Sequence, residues 1–393
     1  MPSAAPRLIV PALGVTQIFA WGSSYYLPAV LAQPIASDTG WSLTWIVGGL
    51  SLGLLIAGLT APFVGRQIHR RGGRPVLAAS AVLLGLGCLG LAIAPTLPMF
   101  VGAWVLMGLG MSAGLYDAAF STLGRLYGQD ARQSITTVTL FGGLASTICW
   151  PLSAFFLQSL GWRGTCLAYA AIQLFICLGI YLAALPREPR HDPVDPPRDG
   201  VTVPSPRHAR AILLLLTLVI TVASAISTII SVHLLAILQA REISLGDAVA
   251  LGAMIGPAQV AARFIEMLIG KYHHPIWTKL ASAVFVALGV ALLGGDLPLI
   301  SLGVIVYGAG IGLESIARAT LPLTLFGAQD YAPIMGRLAR PSLIAQAATP
   351  SIGAFLILWV GPDRTLGIVG ALAAVNMLLA ASLFLVHRRS RRR

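Results

Sequence analysis

The sequence predicts an all-α integral membrane protein with twelve transmembrane helices, arranged as two six-helix repeats. The first observation is composition: 56% of the residues are hydrophobic, only 10% are charged, and the mean hydropathy is +0.83. Soluble domains carry about 25% charged residues. The second is a series of apolar runs of about 20 residues without strand-like alternation, long enough to cross a bilayer as helices. The third is an internal repeat with an offset of 200 residues.

Twelve apolar runs are bounded by turn residues and charges. Because lipid offers no partner to backbone polar groups, each run is expected to satisfy its own hydrogen bonds as a helix. The predicted spans are 8–31, 43–65, 75–94, 97–124, 134–159, 163–185, 211–238, 244–270, 276–295, 297–326, 332–360 and 364–386.

The repeat keeps its register without a gap and falls on turn and packing residues. Its matched pairs include Pro75 and Pro275, Gly108 and Gly308, Gly110 and Gly310, and Gly161 and Gly361. Between the repeats, residues 186–210 contain seven prolines and five arginines, which excludes a helix interior. The predicted organisation is an N-terminal bundle (1–185), a linker (186–210) and a C-terminal bundle with a basic tail (211–393). Function is expected where the two halves meet.

The basic residues predict an orientation. Of the Lys and Arg residues, 21 are assigned to one face, including those of the linker, the tail and Lys279, against 3 on the other. Cytoplasmic loops are rich in Lys and Arg, so both termini and the linker are expected in the cytoplasm, in a plasma or inner membrane. At these positions the net charge of +12 suits a lipid surface, and no nucleic-acid partner is expected.

Side-chain spacing and motif content give three further expectations. Small residues four apart predict close helix contacts at Gly49/Gly53, Gly110/Gly114 and Gly252/Gly256. The four cysteines lie in or beside apolar spans and are predicted to be packing residues. The sequence shows no nucleophile–base pair, Walker loop, metal cluster or dinucleotide motif, so neither an enzyme nor a cofactor is expected. A monomer is expected.

Twelve spans in two repeats joined by a cytoplasmic linker resemble the major facilitator superfamily. After span 2, the stretch from Gly65 to Arg74 resembles that superfamily's loop motif, and it supplies the candidate conformational residues Gly65, His69, Arg70, Gly72 and Arg74. His69 stands where the motif normally has an aspartate that helps to latch one conformation. The latch is therefore expected to be absent or made differently. Gly161-Trp162-Arg163, before span 6, is also a frequent element of the superfamily.

Within the superfamily, the first half is most similar to the monocarboxylate and oxalate/formate group, at Gly40-Trp41-Ser42 and at 58–65. That group binds substrate carboxylate with an arginine in span 8, where this chain has Arg263. The resemblance implies alternating-access transport of a small organic anion coupled to protons. A drug or cation exporter is the alternative, although Cys149-Trp150-Pro151 matches the exporter motif poorly. A non-transporting receptor or scaffold is a further alternative.

Polar and ionisable residues inside spans are costly, so they are the candidate site residues. The candidate substrate-binding residues are Arg263, Arg318, Gln17, Trp21, Tyr25, Tyr116, His233, Gln259 and Gln346. The candidate proton-coupling residues are Asp117, Glu314 and Glu266. Local spacing leaves a structural alternative open, because Arg263/Glu266 and Glu314/Arg318 could simply neutralise each other. Asp117 has no basic residue within one helical turn of sequence, which favours coupling there.

Overall fold

The computed structural model describes residues 6–187 and 206–390, and within them every extended element is a helix. Residues 188–205, most of the predicted linker, lie outside the described residues, as does the end of the tail. The α-helices are α1 (Pro6–Gly22), α2 (Leu27–Thr39), α3 (Leu43–Arg71), α4 (Gly73–Ile93), α5 (Leu97–Gly114), α6 (Tyr116–Tyr127), α7 (Ala131–Gly143), α8 (Ala145–Ala171), α9 (Leu178–Ala184), α10 (Pro206–Gln239), α11 (Leu245–Ala253), α12 (Ile255–Ile269), α13 (Pro275–Leu292), α14 (Leu297–Phe326), α15 (Tyr331–Val360) and α16 (Pro362–Ser390).

The helices account for the predicted spans. Within the described ranges, nine segments are long and apolar enough to cross a membrane. One of them, Leu97–Ala184, contains three successive crossings, and the first crossing is divided between α1 and α2, each too short to be counted alone. In chain order the helices are therefore consistent with twelve spans. The prediction of an all-helical membrane fold is confirmed.

Two of the predicted spans are interrupted by helix breaks. Span 1 breaks between α1 and α2, and α2 extends to Thr39, beyond the predicted end of the span at residue 31. Pro28, which lacks a backbone N–H, stands in the first turn of α2. Span 4 breaks at Leu115, whose backbone is extended (φ −78°, ψ −172°). At Leu144 in span 5 and Met254 in span 8 the backbone stays in the right-handed helical region, and an N–H donates to the carbonyl three residues earlier.

Contacts divide the described chain into two units. The first comprises residues 6–187 together with Gly327–Ala347, and the second comprises residues 206–326 and 348–390. Gly327–Ala347 joins the first unit because it packs on α3 and α6. A Cβ added to Gly65 would collide with the carbonyl of Ala332, and one added to Gly124 would collide with the ring of Tyr331. The start of α15 therefore lies directly against the helix that ends in the loop motif.

The internal repeat is also a structural repeat, because matched glycines make equivalent contacts in each unit. A Cβ on Gly108 would lie 2.5 Å from the carbonyl oxygen of Gly53 in span 2, and one on Gly308 would lie 2.8 Å from that of Ile255 in span 8. Gly110 and Gly310 approach the next helix in the same way, at Leu84 of α4 and Val286 of α13. Only glycine allows the backbones to come this close.

The small-residue spacings have mixed outcomes. Gly49 and Gly53 receive the ring of Trp104, which is 1% exposed, and Gly110 and Gly114 pack on α4. The prediction for Gly252 and Gly256 was wrong. The nearest described atom to a Cβ on Gly252 is 3.8 Å away, and a Cβ on Gly256 would meet none within 4 Å. Spacing reports only that a helix could be approached closely, whereas the position of the neighbouring helix decides whether it is.

Candidate functional site

An aromatic cluster in the first unit brings together three predicted site residues. The ring of Trp21 lies 5.3 Å from that of Tyr25 and 5.0 Å from that of Tyr116, centroid to centroid. Tyr116 in turn stacks on Phe120 at 5.0 Å with an interplanar angle of 12°. Tyr25 lies in the break between α1 and α2, and Tyr116 begins α6 after the break at Leu115. The two helix breaks thus place aromatic side chains around Trp21.

Gln17 links the same two broken spans. Its side chain is fully buried, and its Nε2 donates to the carbonyl oxygen of Gly114 at 2.6 Å. Gly114 ends α5, and helix ends expose carbonyls that lack a partner within the helix. Gln17 therefore caps the break in span 4. This contact matches the interhelical hydrogen-bonding role that is the structural alternative to substrate binding at Gln17.

Asp117 occupies a different environment from the one its sequence position suggests. It is the second residue of α6, so its half-buried carboxylate lies in the first turn of a helix. The positive end of the helix dipole stabilises a negative charge at that position. The break at Leu115 creates this helix start, and it reduces the cost of placing an acid in mid-span.

The principal charged contact of the second unit joins Lys279 of α13 to Glu314 of α14. Lys279 Nζ lies 2.5 Å from both carboxylate oxygens, and Ser282 Oγ donates to Glu314 Oε2 at 2.8 Å. Lys279 is 1% exposed, so its inclusion among the surface charges of the cytoplasmic face was wrong. Lys279 and Ser282 are functional candidates that the sequence reasoning missed. Lys279 stands in the second turn of α13, close enough to the preceding loop to resemble a surface charge.

Glu266 and Arg263 of α12 are both buried, each 5% exposed. Glu266 accepts a hydrogen bond from Thr278 Oγ1 at 2.8 Å and lies 3.4 Å from His273 Nε2. Arg263 donates to Oε1 of Gln259, one turn earlier, at 3.2 Å. The buried arginine and the amide predicted beside it are therefore in contact. The carboxylate of Glu266 has one partner in α13, Thr278, and another, His273, just before that helix.

The remaining predicted residues are His233, Gln346 and Arg318, and Arg318 is close enough to Lys279 for the two charges to interact. His233 Nε2 is 3.0 Å from the carbonyl oxygen of Pro350 in α15. Gln346 donates to Ser342 Oγ at 3.3 Å within α15. Arg318 lies half-buried on α14, one turn beyond Glu314.

Two arginines near the loop motif donate to backbone carbonyls. Arg125 of α6 donates to the carbonyl oxygen of His69, and Arg74 donates to that of Leu182 at 2.5 Å. Gly72, at φ +82°, makes the turn between α3 and α4, a conformation that favours glycine. Arg70 is exposed. Two arginines that donate to carbonyls therefore connect this region, one joining α6 to α3 and the other joining α4 to α9.

The Gly161-Trp162-Arg163 element has an acidic partner that the sequence reasoning did not identify. Asp38, near the end of α2, accepts from Trp162 Nε1 at 2.8 Å and from Arg163 at 2.7 Å. The Trp162 indole and the Arg163 guanidinium hold the pKa of the Asp38 carboxyl below its usual value. In the second unit the equivalent pair has reversed charges, because Arg241 after α10 bonds Asp363 of α16 at 2.8 Å. Gly161 and Gly361 both adopt positive φ beside these pairs.

Comparison with known proteins establishes the family. Residues 13–339 match the family model described as Major Facilitator Superfamily. The chain belongs to the major facilitator superfamily. It is therefore a multi-pass membrane protein of a transporter family. Within the part of the chain that the structure describes, no group of three or more His, Cys, Asp or Glu residues is placed to hold a metal ion.

Three relatives of this superfamily member differ in what their names state. An uncharacterized 38 kDa protein in the 23S RNA operon of Thermoproteus tenax is 30% identical over 320 residues, 79% of this chain and 78% of that protein. Monocarboxylate transporter 11 of Mus musculus is 31% identical over 166 residues, 42% of this chain and 35% of its own length. The purine ribonucleoside efflux pump NepI of Escherichia coli O157:H7 is 26% identical over 168 residues, 42% of each protein.

Solved structures agree with the superfamily fold. The human organic anion transporter MFSD10 superposes with a TM-score of 0.75 at 15% identity, over 97% of this chain and all of that chain. The proton:xylose symporter XylE superposes with a TM-score of 0.73 at 12% identity, over 94% of each chain. At these identities the likeness concerns the fold alone.

Proposed function

We propose that this major facilitator is a secondary transporter that moves a small organic anion together with protons by alternating access. It is proposed to act as a monomer in the plasma or inner membrane, with both termini in the cytoplasm. The observation that carries the proposal is the buried ion pair of Lys279 and Glu314, held at 2.5 Å between α13 and α14.

A buried ion pair is an expensive way to join two membrane helices. Desolvation of both charges offsets much of their attraction, so an apolar contact would hold the helices at least as well. Ionisable residues inside membrane spans therefore mark functional sites by default. In the first repeat the corresponding contact, between α4 and α5, involves no charges, because Gly114 packs there on Ser80.

The pair can link a proton to an anion. Protonation of Glu314 removes the negative charge that compensates Lys279, and the lysine then needs another anion. Other charged groups on the adjacent helices are Arg318 on α14 and Arg263 and Glu266 on α12. With Glu314 neutral, these charges add to a net positive region that favours a carboxylate. We therefore place coupling first at Glu314, with Asp117 and Glu266 as the other candidates.

Arg263 is the proposed carboxylate ligand. A guanidinium presents a planar fork that matches a carboxylate, and it stays charged when buried. Its 5% exposure and its contact with Gln259 give it a fixed orientation. The aromatic cluster around Trp21, in the first unit, is a separate candidate binding surface. The name of the mouse relative, a monocarboxylate transporter, supports the same substrate class.

Export of a nucleoside-like or cationic compound is the second candidate. It is favoured by the alignment with a purine ribonucleoside efflux pump, and stacked rings such as Tyr116 and Phe120 would suit a flat substrate. The two candidates differ in the charge of the substrate and in the expected role of Arg263.

Transport by the purified full chain in proteoliposomes tests the proposal. A panel of monocarboxylates, dicarboxylates, nucleosides and cationic dyes would be assayed with and without an imposed pH gradient. We expect uptake of a carboxylate that the gradient drives above equilibrium. Glu314→Gln should retain exchange of labelled for unlabelled substrate but lose accumulation, whereas Asp117→Asn should retain both.

Each other outcome would decide against part of the proposal. Transport of nucleosides or dyes alone would favour the exporter. Accumulation by Glu314→Gln with its loss in Asp117→Asn would move the coupling site to Asp117. Failure of every compound in a protein that binds one of them would favour a receptor.

A further inference from the structure

A cavity with three arginines lies beside the turn between α3 and α4 in the first unit. Its volume is about 290 Å³. Its wall consists of Arg71, Gly72, Arg74 and Pro75 from the turn, and of Leu182, Pro186 and Arg187 from the end of α9 and the residues that follow. None of these seven residues is acidic. The cavity is therefore a concentration of positive charge without a compensating carboxylate in its wall.

The hydrogen-bond donors of the cavity are only partly used. Arg74 donates from one terminal nitrogen to the carbonyl oxygen of Leu182, which fixes its guanidinium across the cavity wall. Its Nε is buried and has no hydrogen-bond partner among the described residues. Arg71 and Arg187 are exposed at the cavity rim. α4, a 21-residue helix, begins at Gly73, so the positive end of its dipole also favours an anion here.

The position of the cavity selects the kind of anion. The cavity lies where α3 and α9 end, and its arginines follow directly after the apolar sequence of these membrane spans. Leu182, on the same wall, is 47% exposed. A ligand that fits would carry an anionic oxygen group toward the arginines and an apolar portion along α9. A phosphate on an acyl-chain lipid has both features, whereas free phosphate has only the first.

We propose that this arginine cavity binds the phosphate headgroup of an anionic membrane phospholipid. Bidentate bonds from the guanidinium groups would hold the phosphate oxygens. The bound lipid would join the α3–α4 turn to the end of α9, the two elements that Arg74 already connects. This role is independent of the transported substrate and of the proton-coupling residue.

Binding of phosphatidylglycerol to the full chain, measured by native mass spectrometry in detergent, tests the proposal. Phosphatidylcholine and inorganic phosphate serve as separate probes. The test variant is Arg71→Gln/Arg187→Gln, which keeps the Arg74 bond to Leu182. The matched control is Arg66→Gln/Arg70→Gln, which removes two exposed arginines from the same helix end but outside the cavity. Thermal unfolding checks that each variant is folded.

We expect the test variant to weaken phosphatidylglycerol binding at least about fivefold, because two of three phosphate ligands are lost, and the control to change it less than about twofold. Phosphatidylcholine binding should be weaker than phosphatidylglycerol binding in the wild type and unaffected by either variant. Equal weakening in both variants would show a diffuse surface attraction and overturn the site. Binding of inorganic phosphate at millimolar concentration without binding of phosphatidylglycerol would assign the cavity to a free anion and overturn the lipid proposal.

Discussion

Lys279 Nζ lies 2.5 Å from both carboxylate oxygens of Glu314, and the residues 200 positions earlier are Ala79 and Gly114. The two repeats share their glycine contacts at 108 and 308 and at 110 and 310, yet they differ in charge at this level. The second half carries a buried ion pair where the first half is neutral. The two halves thus share a backbone arrangement but differ in charged side chains, as expected if only the second half binds a charged substrate or a proton at this level.

Removing one partner of this pair should destabilise the protein more than removing both. Lys279→Met leaves the partly buried Glu314 without its cation, which should cost up to about 3–5 kcal/mol, the value for a fully buried pair. Lys279→Met/Glu314→Leu should recover most of that loss, because apolar replacement of a buried pair is often tolerated. Thermal unfolding in detergent measures both, with Lys271→Met as an exposed-lysine control. A double variant as unstable as the single variant would contradict the pairing.

Arg263 should determine substrate affinity if the substrate is an anion. Arg263→Lys keeps the charge but loses the planar fork, so we expect weaker binding, and Arg263→Ala should cost about 2–5 kcal/mol of affinity. Equilibrium binding of the carboxylate identified by the transport screen gives the measurement. Ser159→Ala, which removes an exposed hydroxyl bonded within α8, is the control. Unchanged affinity in a folded Arg263→Ala protein would exclude the role.

Two glycine substitutions should have opposite effects. A Cβ on Gly308 would lie 2.8 Å from the carbonyl oxygen of Ile255, so Gly308→Ala should cost on the order of 1–3 kcal/mol through overpacking. Gly256→Ala meets no described atom within 4 Å and should be neutral or stabilise α12 by up to about 1 kcal/mol. Comparison of their unfolding temperatures tests the helix contact directly. Equal effects of the two changes would be inconsistent with it.

Asp38 should make stability depend on pH in the acid range. Its folded-state pKa is lowered by Trp162 and Arg163, so its contribution is present above the usual Asp value of about 4 and is lost as pH falls through the lower folded value. Asp38→Asn should flatten the pH dependence of the unfolding temperature in this range. Asp296→Asn, at an exposed loop acid, should leave the profile nearly unchanged. Identical profiles for wild type and Asp38→Asn would refute the ion pair.

The reversed order of the equivalent pair in the second half suggests a charge swap. Asp38→Arg/Arg163→Asp reproduces the order of Arg241 and Asp363, so the double variant should be more stable than either single variant. Trp162 loses its acceptor, so full recovery is not expected. A double-mutant cycle on unfolding temperatures provides the measurement, and purely additive effects would show that the two residues do not interact.

Much of the fold could be predicted from the sequence alone. In a bilayer each apolar run must satisfy its own backbone hydrogen bonds, so composition and run length determine an all-helical fold with twelve spans. The ends of α3, α13 and α14 follow from Pro, Gly and charged residues near 72, 275 and 326. The repeat could also be found from the sequence, because close helix contacts require glycine in both halves. The matched glycines therefore recur 200 residues apart.

The tertiary structure alone decided the partners of the site residues. Local spacing offered Arg318 to Glu314 and Arg263 to Glu266, whereas packing supplied Lys279 and Thr278 from α13. It likewise placed Asp38 beside Arg163 and turned Asp117 from a mid-span acid into a residue of a helix first turn. A single sequence shows which side chains are close along one helix, at spacings of three or four residues. Which side chain meets which across an interface depends on how neighbouring helices pack, and no local pattern carries that information.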